Sequence, residues 1–478
     1  MPPKPRHALL WIVPGMLARG LAHGSALLLT LVAARLLSPA ELGVFVVANA
    51  LAAFGMLFIY AGVYEYLLRA DDAALHADAG FSVLLVTAAG VTAAHWALAP
   101  LAARGFGSPE LAGTMQALSV LPLLGCLSAW REALYLRDPA KVERHHLVVV
   151  LRDLGSLALG MAGLLAGWGL AALVLWRLSA AAIGWLAWWR LNPAAPRLDL
   201  ARPRWREVLA YGGGITGTRL AKFCEINGVD ILLGLVLHPA AVGIYRMASR
   251  LVVAVLDLIA QPLARLNWVQ ASDAARAGHA PDGGDGPWHG LMLLLAWPAL
   301  AVLALESEVL TRHLLGPRWS ETGPVLAGLA MVAMLRTTTF ALEPAFALCG
   351  ESARLMHLRA LSALLAMAML ALAPLGGMTA VLWGQAAAAS VSALLVLRAA
   401  QRHVALDLER WARGFARPAL VVAVITGSAL VMDSLATPPV WHWWMLSLVA
   451  LAATLAGLWS IRDRLAALAP GATRLEAH

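Results

Sequence analysis

Apolar runs of about 20 residues follow one another almost without pause from residue 8 to residue 461, and that is the length at which an α-helix crosses a bilayer core of roughly 30 Å. Counting them predicts about fourteen spans, at 8–34, 42–68, 79–103, 113–136, 147–167, 169–190, 207–237, 241–270, 289–311, 321–349, 355–374, 377–400, 416–435 and 441–461. With 60% hydrophobic residues, 13% charged residues and a mean hydropathy of +0.73, the chain is too apolar for a water-soluble globule. The basic start MPPKPRH is too short for a signal peptide and lacks a small-residue cleavage site, so the first helix is expected to be retained.

Two stretches of this chain repeat each other. Residues 30–51, TLVAARLLSPAELGVFVVANAL, recur at 230–251 as DILLGLVLHPAAVGIYRMASRL, with Leu37, Pro39, Ala40, Gly43, Ala48 and Leu51 matched by Leu237, Pro239, Ala240, Gly243, Ala248 and Leu251. Each copy falls where one apolar run turns into the next, so the duplicated unit is a bundle of membrane helices, the usual build of carriers. The long segment LNPAAPRLDLARPRWRE, rich in Pro and Arg, follows the sixth span and reads as an inter-lobe linker. The fold expected is therefore all-α and polytopic, with two six-helix lobes related by a pseudo-twofold axis along the membrane normal and two further C-terminal helices. Its boundaries fall at 1–190, 191–206 (linker), 207–400 and 401–478 (the last two helices and tail).

The net charge of +8 does not point to nucleic acid, because the bases are spread over many short loops and form no stripe. Placing the N-terminus inside puts most loop bases on the cytoplasmic side and leaves only Arg35, Arg104, Arg312 and Arg318 outside. Both termini are thus expected in the cytoplasm. Cys126, Cys224 and Cys349 share no metal or redox spacing, and nothing calls for a metal or another cofactor.

Charges within the spans carry the functional signal, since each costs about 2.5–3.5 kcal/mol at mid-membrane on insertion scales and has to face something polar. On the seventh span Thr216, Arg219, Lys222, Asn227 and Asp230 fall within an arc of about 140°. The eighth carries Arg246, Arg250, Asp257 and Gln261; the first carries Arg19, His23 and Thr30; the tenth carries Arg336 and Glu343; the sixth carries Arg177. Such residues either pair with each other for packing or line a polar path. The surplus of bases on the seventh and eighth spans favours a cationic cavity built from Arg19, Arg177, Arg219, Lys222, Arg246, Arg250 and Arg336, which would take an anionic guest. Asp230, Asp257, Glu343 and Glu65 are candidates for proton or Na⁺ coupling, although Glu65 between two tyrosines also suits an interfacial carboxylate. Arg131–Glu132, Arg152–Asp153 and Arg265 lie near inner span ends, where snorkelling to headgroups suffices.

The stretch AARLLSPAELGVFVVANALAAFGMLFIYAGVYEYLLR, from Ala33 to Arg69, resembles the start of the polysaccharide-repeat-unit flippases of Wzx type, in the multidrug/oligosaccharidyl-lipid/polysaccharide (MOP) exporter superfamily. GVDILLGLVLHPAAVGIYRMAS is similar to that family's second signature. The resemblance implies an ion-coupled, alternating-access flippase, and not an enzyme, that moves undecaprenyl-pyrophosphate-linked oligosaccharide from the cytoplasmic to the periplasmic leaflet. A polysaccharide polymerase and a chain-length regulator would be its partners besides the lipids, for O-antigen or exopolysaccharide. In such flippases, cationic residues on the first, seventh and eighth helices are suspected of holding the pyrophosphate, and Arg19, Arg219, Lys222, Arg246 and Arg250 occupy such positions. Rival expectations are a lipid II flippase, a multidrug exporter of the same superfamily, which would want an acidic or aromatic pocket, and a membrane polymerase or ligase, which would want a sizeable periplasmic loop.

Overall fold

The computed structural model describes residues 24–60, 62–69, 73–138, 141–193, 195–199, 202–276, 287–435, 439–460 and 462, and every described regular element is helical. The chain divides into two compact units, Met1–Gly243 and Ile244–His478.

The first unit begins with α1 (Gly24–Leu36), followed by α2 (Pro39–Tyr60), α3 (Val63–Arg69), α4 (Ala73–Gly105), α5 (Glu110–Leu118), α6 (Leu121–Tyr135), α7 (Val142–Leu165), α8 (Leu170–Leu191) and α9 (Arg202–Val236). Helix α10 (Pro239–Arg276) starts in this unit and continues into the second. There the order is α11 (Pro287–Leu305), α12 (Ser307–Leu314), α13 (Thr322–Thr337), α14 (Glu343–Leu348), α15 (Ser352–Ala368), α16 (Ala373–His403), α17 (Leu408–Arg413), α18 (Ala416–Ser434) and α19 (Pro439–Trp459).

Among the described residues, ten helical segments are long and apolar enough to cross a membrane. Three further long helices, α9, α10 and α15, are diluted by the charges they carry, and the described part of α1 is short. The expected division between the fifth and sixth spans is present as a hairpin of α7 and α8, with Gly167 (φ 78°) and Gly169 (φ 57°) in the left-handed conformation that only Gly adopts at little cost.

Several spans expected to be continuous are broken, three of them in mid-span. The second is interrupted around Gly62, whose φ of 84° is incompatible with a right-handed helix, and resumes as α3. The fourth breaks at Ser119–Val120, ahead of Pro122 in the first turn of α6. The tenth breaks between Thr337 and Glu343, where the hydroxyls of Thr337, Thr338 and Thr339 each donate to the carbonyl three residues back. Hydropathy averages over such breaks.

In lipid no hydrophobic effect drives one apolar helix onto another, so close packing and polar contacts hold the bundle. In the first unit α3 is seated by Ile59, Leu67, Leu84, Trp130 and Val208, while Phe81 meets Trp130 edge-on at 5.6 Å. Trp130 also donates its indole N–H to the Ala77 carbonyl at 2.8 Å. The segment before α9 is strapped to α4: the backbone N–H of Arg197 donates to Asp78 Oδ1 (3.0 Å) and that of Asp199 to Ser82 Oγ (2.8 Å).

The repeated corners touch. A Cβ at Gly43 would overlap the Pro239 carbonyl, and one at Gly243 would overlap the Pro39 carbonyl. The contact is reciprocal, as the duplication requires.

In the second unit α18 and α19 pack on α11 through Leu294, Ile425, Met432 and Leu446. His442 at the start of α19 bridges two carboxylates, Glu306 (2.6 Å) and Asp433 (3.3 Å).

Candidate substrate cavity

Helix α9 is the polar element of the first unit, and Arg219, Lys222, Phe223, Ile226 and Asn227 recur on it at the three- and four-residue spacing of one helical face. That face meets Ala53, Met56 and Leu57 of α2, Tyr64 of α3 and Glu132 of α6 around an open cavity of about 450 Å³. The α2 wall is apolar, and the α9 wall carries two cations and an amide beside Phe223 and Ile226, with Glu132 of α6 adding an acid. The aromatic wall continues outward, because the Phe223 ring lies 5.4 Å from Phe54, which lies 5.4 Å from Phe58, and both α2 side chains are exposed.

The break at Gly62 matters here, because it gives α3 its own axis and lets it present three consecutive polar side chains. Tyr64 donates to Glu132 Oε1 at 3.4 Å, Glu65 pairs with Arg219, and Tyr66 donates to Glu207 Oε1 at 2.9 Å. Glu207 also lies 3.4 Å from His76 Nε2, so α3, α4 and α9 are tied together below the cavity. Beyond Glu132, His145 Nδ1 is 3.6 Å away, and its ring stacks on Trp188 at 5.6 Å.

The two cations of the cavity differ. The Arg219 guanidinium donates to Glu65 Oε1, and the other carboxylate oxygen, Oε2, is buried with no hydrogen-bond partner among the described residues. About 30% of each side chain remains exposed (31% and 28%), so the pair contributes little net stability. Lys222, one turn on, is exposed and forms no ion pair among the described residues. An anion entering the cavity would meet a ready ammonium and a guanidinium already engaged.

Of the seven bases expected to form one cationic cavity, Arg219 and Lys222 line this one. Arg177, on α8, has its guanidinium 5.9 Å from the Trp176 ring centre and a buried Nε without a hydrogen-bond partner among the described residues. Arg246 and Arg250 are half-buried on α10 in the second unit. Arg336, also in the second unit, donates to the buried Gln385 Oε1 at 3.0 Å, and the Gln385 amide in turn donates to the Ala366 carbonyl at 3.1 Å. Arg19 and His23 lie outside the described residues, and the side chain of Thr216 is not among those described.

Of the four carboxylates, Glu65 pairs with the cavity Arg, which is a more specific place than the interfacial one its neighbours suggested. Asp230 is buried at 1% exposure and is not among the cavity's lining residues, although it shares the helical face of Arg219. Asp257 is exposed on α10, and Glu343 pairs with Arg359 at 3.1 Å.

One of the two pairs expected to snorkel needs correction. Arg131 is 6% exposed and donates to the Leu127 carbonyl at 3.3 Å, because α6 turns it into the bundle. Its neighbour Glu132 is part of the cavity wall. Sequence reasoning did not place Tyr64, Glu132 or Phe223 in the site. The signal that would have found Glu132 and Tyr64 is a contact between α3 and α6, and hydropathy carries no contacts.

Comparison with known proteins agrees with this architecture. The family model described as "Polysaccharide biosynthesis protein" matches residues 32–324. No curated protein matches the sequence. Among solved structures the chain is similar to the lipid II flippase MurJ in an inward closed conformation, at 11% identity over 96% of this chain and 100% of that one, with a TM-score of 0.69. It is also similar to a multidrug resistance MATE family transporter of the MOP superfamily in an inward-facing conformation, at 12% identity over 80% of this chain and 94% of that one, with a TM-score of 0.56. At such identity the likeness is one of fold. With the family model matching more than half of its length, the chain belongs to the family described as "Polysaccharide biosynthesis protein".

Proposed function

We propose that this multi-pass membrane protein is a flippase for polyprenyl-pyrophosphate-linked oligosaccharide, carrying the repeat unit from the cytoplasmic to the periplasmic leaflet of a bacterial inner membrane. The observation that supports it best is the two-sided cavity, in which Arg219, Lys222 and Asn227 face an apolar wall from α2. A lipid-linked sugar has this same division, an anionic pyrophosphate and hydrated head joined to a tail at home in hydrocarbon. Guanidinium forks hold phosphate oxygens bidentately, and an ammonium adds a point charge. The exposed Phe54 and Phe58 give the tail an apolar way between cavity and lipid.

The full reading has about fourteen spans, the ten apolar helices plus α1, α9, α10 and α15, in two six-helix lobes with a C-terminal pair and both termini cytoplasmic. Arg19, Arg177, Arg246, Arg250 and Arg336 would extend the anion path at other stages of alternating access, with Asp230, Asp257, Glu343 or Glu65 coupling it to an ion gradient. Polymerase and chain-length regulator would act on the delivered unit.

The test is complementation of a deletion strain. The wild-type chain restores surface polymer, whereas a stably inserted Arg219→Ala/Lys222→Ala chain leaves lipid-linked repeat units on the cytoplasmic leaflet. Full polymer from the double variant would overturn the proposal. The fold likeness to MurJ supports one second reading, a lipid II flippase; in that case deletion would arrest cell-wall synthesis and leave surface polymer intact.

A further inference from the structure

We propose that the second unit binds an anionic phospholipid of the bilayer where α16 ends and α18 begins, with the lipid phosphate on Arg398, Arg402 and Arg417 and the acyl chains along the exposed faces of the two helices. The inference stands apart from the flippase reading, since none of these residues lines the cavity of the first unit.

Both helices carry the same pattern. On α18, Leu420, Val424 and Val431 are exposed and lie within an arc of about 60° that also holds Arg417, one turn nearer the helix start. A Cβ at Gly427, beside them, would stand in open space. On α16, Trp383, Val391 and Leu394 are exposed within an arc of about 100° that Arg398 and Arg402 continue to the helix end. From Leu420 to Val431 the apolar stripe runs about 16 Å, close to the depth of one leaflet in a bilayer core of roughly 30 Å. As consecutive spans joined by a short connection, α16 and α18 bring their arginines to one membrane surface. An apolar strip of leaflet depth that ends in cations matches a phospholipid, chain for chain and phosphate for guanidinium.

Pairing sets these three arginines apart from their neighbours. Acids on the same surface are engaged elsewhere, Glu351 with Arg354 (3.2 Å), Asp407 with Arg410 (3.3 Å) and Glu409 with Arg413 (3.7 Å). Arg398, Arg402 and Arg417 are exposed and form no ion pair among the described residues. A guanidinium fork that no carboxylate occupies is open to phosphate oxygens.

Helix α17 fixes the backbone between them. Asp407 caps it by accepting from the backbone N–H groups of Glu409 (2.9 Å) and Arg410 (3.2 Å). Trp411 packs against Val396, Ala400 and Val404, stacks on His289 of α11 at 5.4 Å and meets Phe415 edge-on at 4.5 Å. An acidic soluble protein would reach the arginines but not the stripes below them, and a second copy of the chain would bring the same cations. An amphiphile answers both halves of the surface.

The test is native mass spectrometry of the full chain in detergent, titrated with phosphatidylglycerol, with phosphatidylcholine and with glycerol phosphate. Wild type should retain phosphatidylglycerol in preference to phosphatidylcholine, and glycerol phosphate, which has the phosphate without the chains, should not compete. Arg398→Gln/Arg402→Gln should weaken phosphatidylglycerol binding about 30-fold, from about 1 kcal/mol for each base near the headgroups. Arg398→Lys/Arg402→Lys should keep most of the affinity. Arg410→Gln/Arg413→Gln removes the same charge from paired positions and should cost far less, and Arg219→Ala/Lys222→Ala should bind the lipid as wild type does. Equal losses in the two glutamine pairs, or equal retention of the two phospholipids, would overturn the site in favour of attraction by net charge or by detergent-like contact alone. Competition by glycerol phosphate would overturn the lipid as occupant. Loss of binding in the Arg219→Ala/Lys222→Ala chain would move the lipid to the first unit's cavity and overturn the inference while leaving the flippase reading in place.

Discussion

The two copies of the repeated corner share their packing residues and differ in how they are capped and charged. At the first, Ser38 and Glu41 form a capping box: Ser38 Oγ accepts from the Glu41 backbone N–H at 3.2 Å, while Glu41 Oε2 accepts from both the backbone N–H and the hydroxyl of Ser38 at 2.8 Å. At the second, the same orphan donor three residues into the corner, the Ala241 backbone N–H, is accepted by His238 Nδ1 at 3.2 Å. Pro39 and Pro239 then open their helices, and Gly43 and Gly243 let the corners meet. Past that point they part company: α2 has no base along its length, while α10 carries Arg246, Arg250 and Asp257. Duplication has preserved what packs, and the residues that bear charge are those in which the copies differ.

The strongest way to break that comparison is to add a side chain at the meeting point. Gly43→Val and Gly243→Val should each abolish folded protein in the membrane, because the clash is with backbone carbonyls that no rotamer change can move. Even Gly43→Ala should cost about 3 kcal/mol, the upper end of overpacking effects. The check is folded yield and thermal unfolding in detergent, and wild-type stability for either Val variant would show that the corners are not in contact. Next in size is the opposite kind of variant, one that touches chemistry and spares packing. Lys222→Ala removes an exposed cation with no ion pair among the described residues, so unfolding should shift by no more than about 0.5 kcal/mol. Repeat-unit transfer in reconstituted vesicles should nevertheless fall about tenfold, the worth of one charge-assisted phosphate contact near 1.5 kcal/mol.

This division also explains what could be read from sequence. Span limits followed from hydropathy closely enough that the Gly167–Gly169 hairpin sits where the runs parted, and the corner motif is visible because packing repeats it. The polar face of α9 was legible as periodicity, and Arg219, Lys222 and Asn227 do share one cavity. Asp230 was included by the same periodicity and lies elsewhere, since a helical wheel gives angle but not depth, and three turns separate it from Arg219. Tyr64, Glu65 and Glu132 depended on the break at Gly62, a single residue of positive φ that a 20-residue average hides. Long-range pairs such as Glu65 with Arg219 leave no local trace at all.

The smallest effects sharpen the comparison at the caps. Ser38→Ala removes an acceptor for the Glu41 N–H and a donor to the Glu41 carboxylate, and should cost about 1 kcal/mol, as loss of an N-cap does. His238→Ala should cost less, about 0.5 kcal/mol, because His238 supplies one hydrogen bond from an exposed ring where Ser38 and Glu41 supply three from half-buried groups. The reverse swap is more telling. His238→Ser combined with Ala241→Glu installs the first corner's capping box on the second and should recover or exceed wild-type stability, measured by the same thermal unfolding. If the double variant is instead destabilised, the His ring serves something other than the cap. The second corner would then have departed from the first in its packing as well as in its charge.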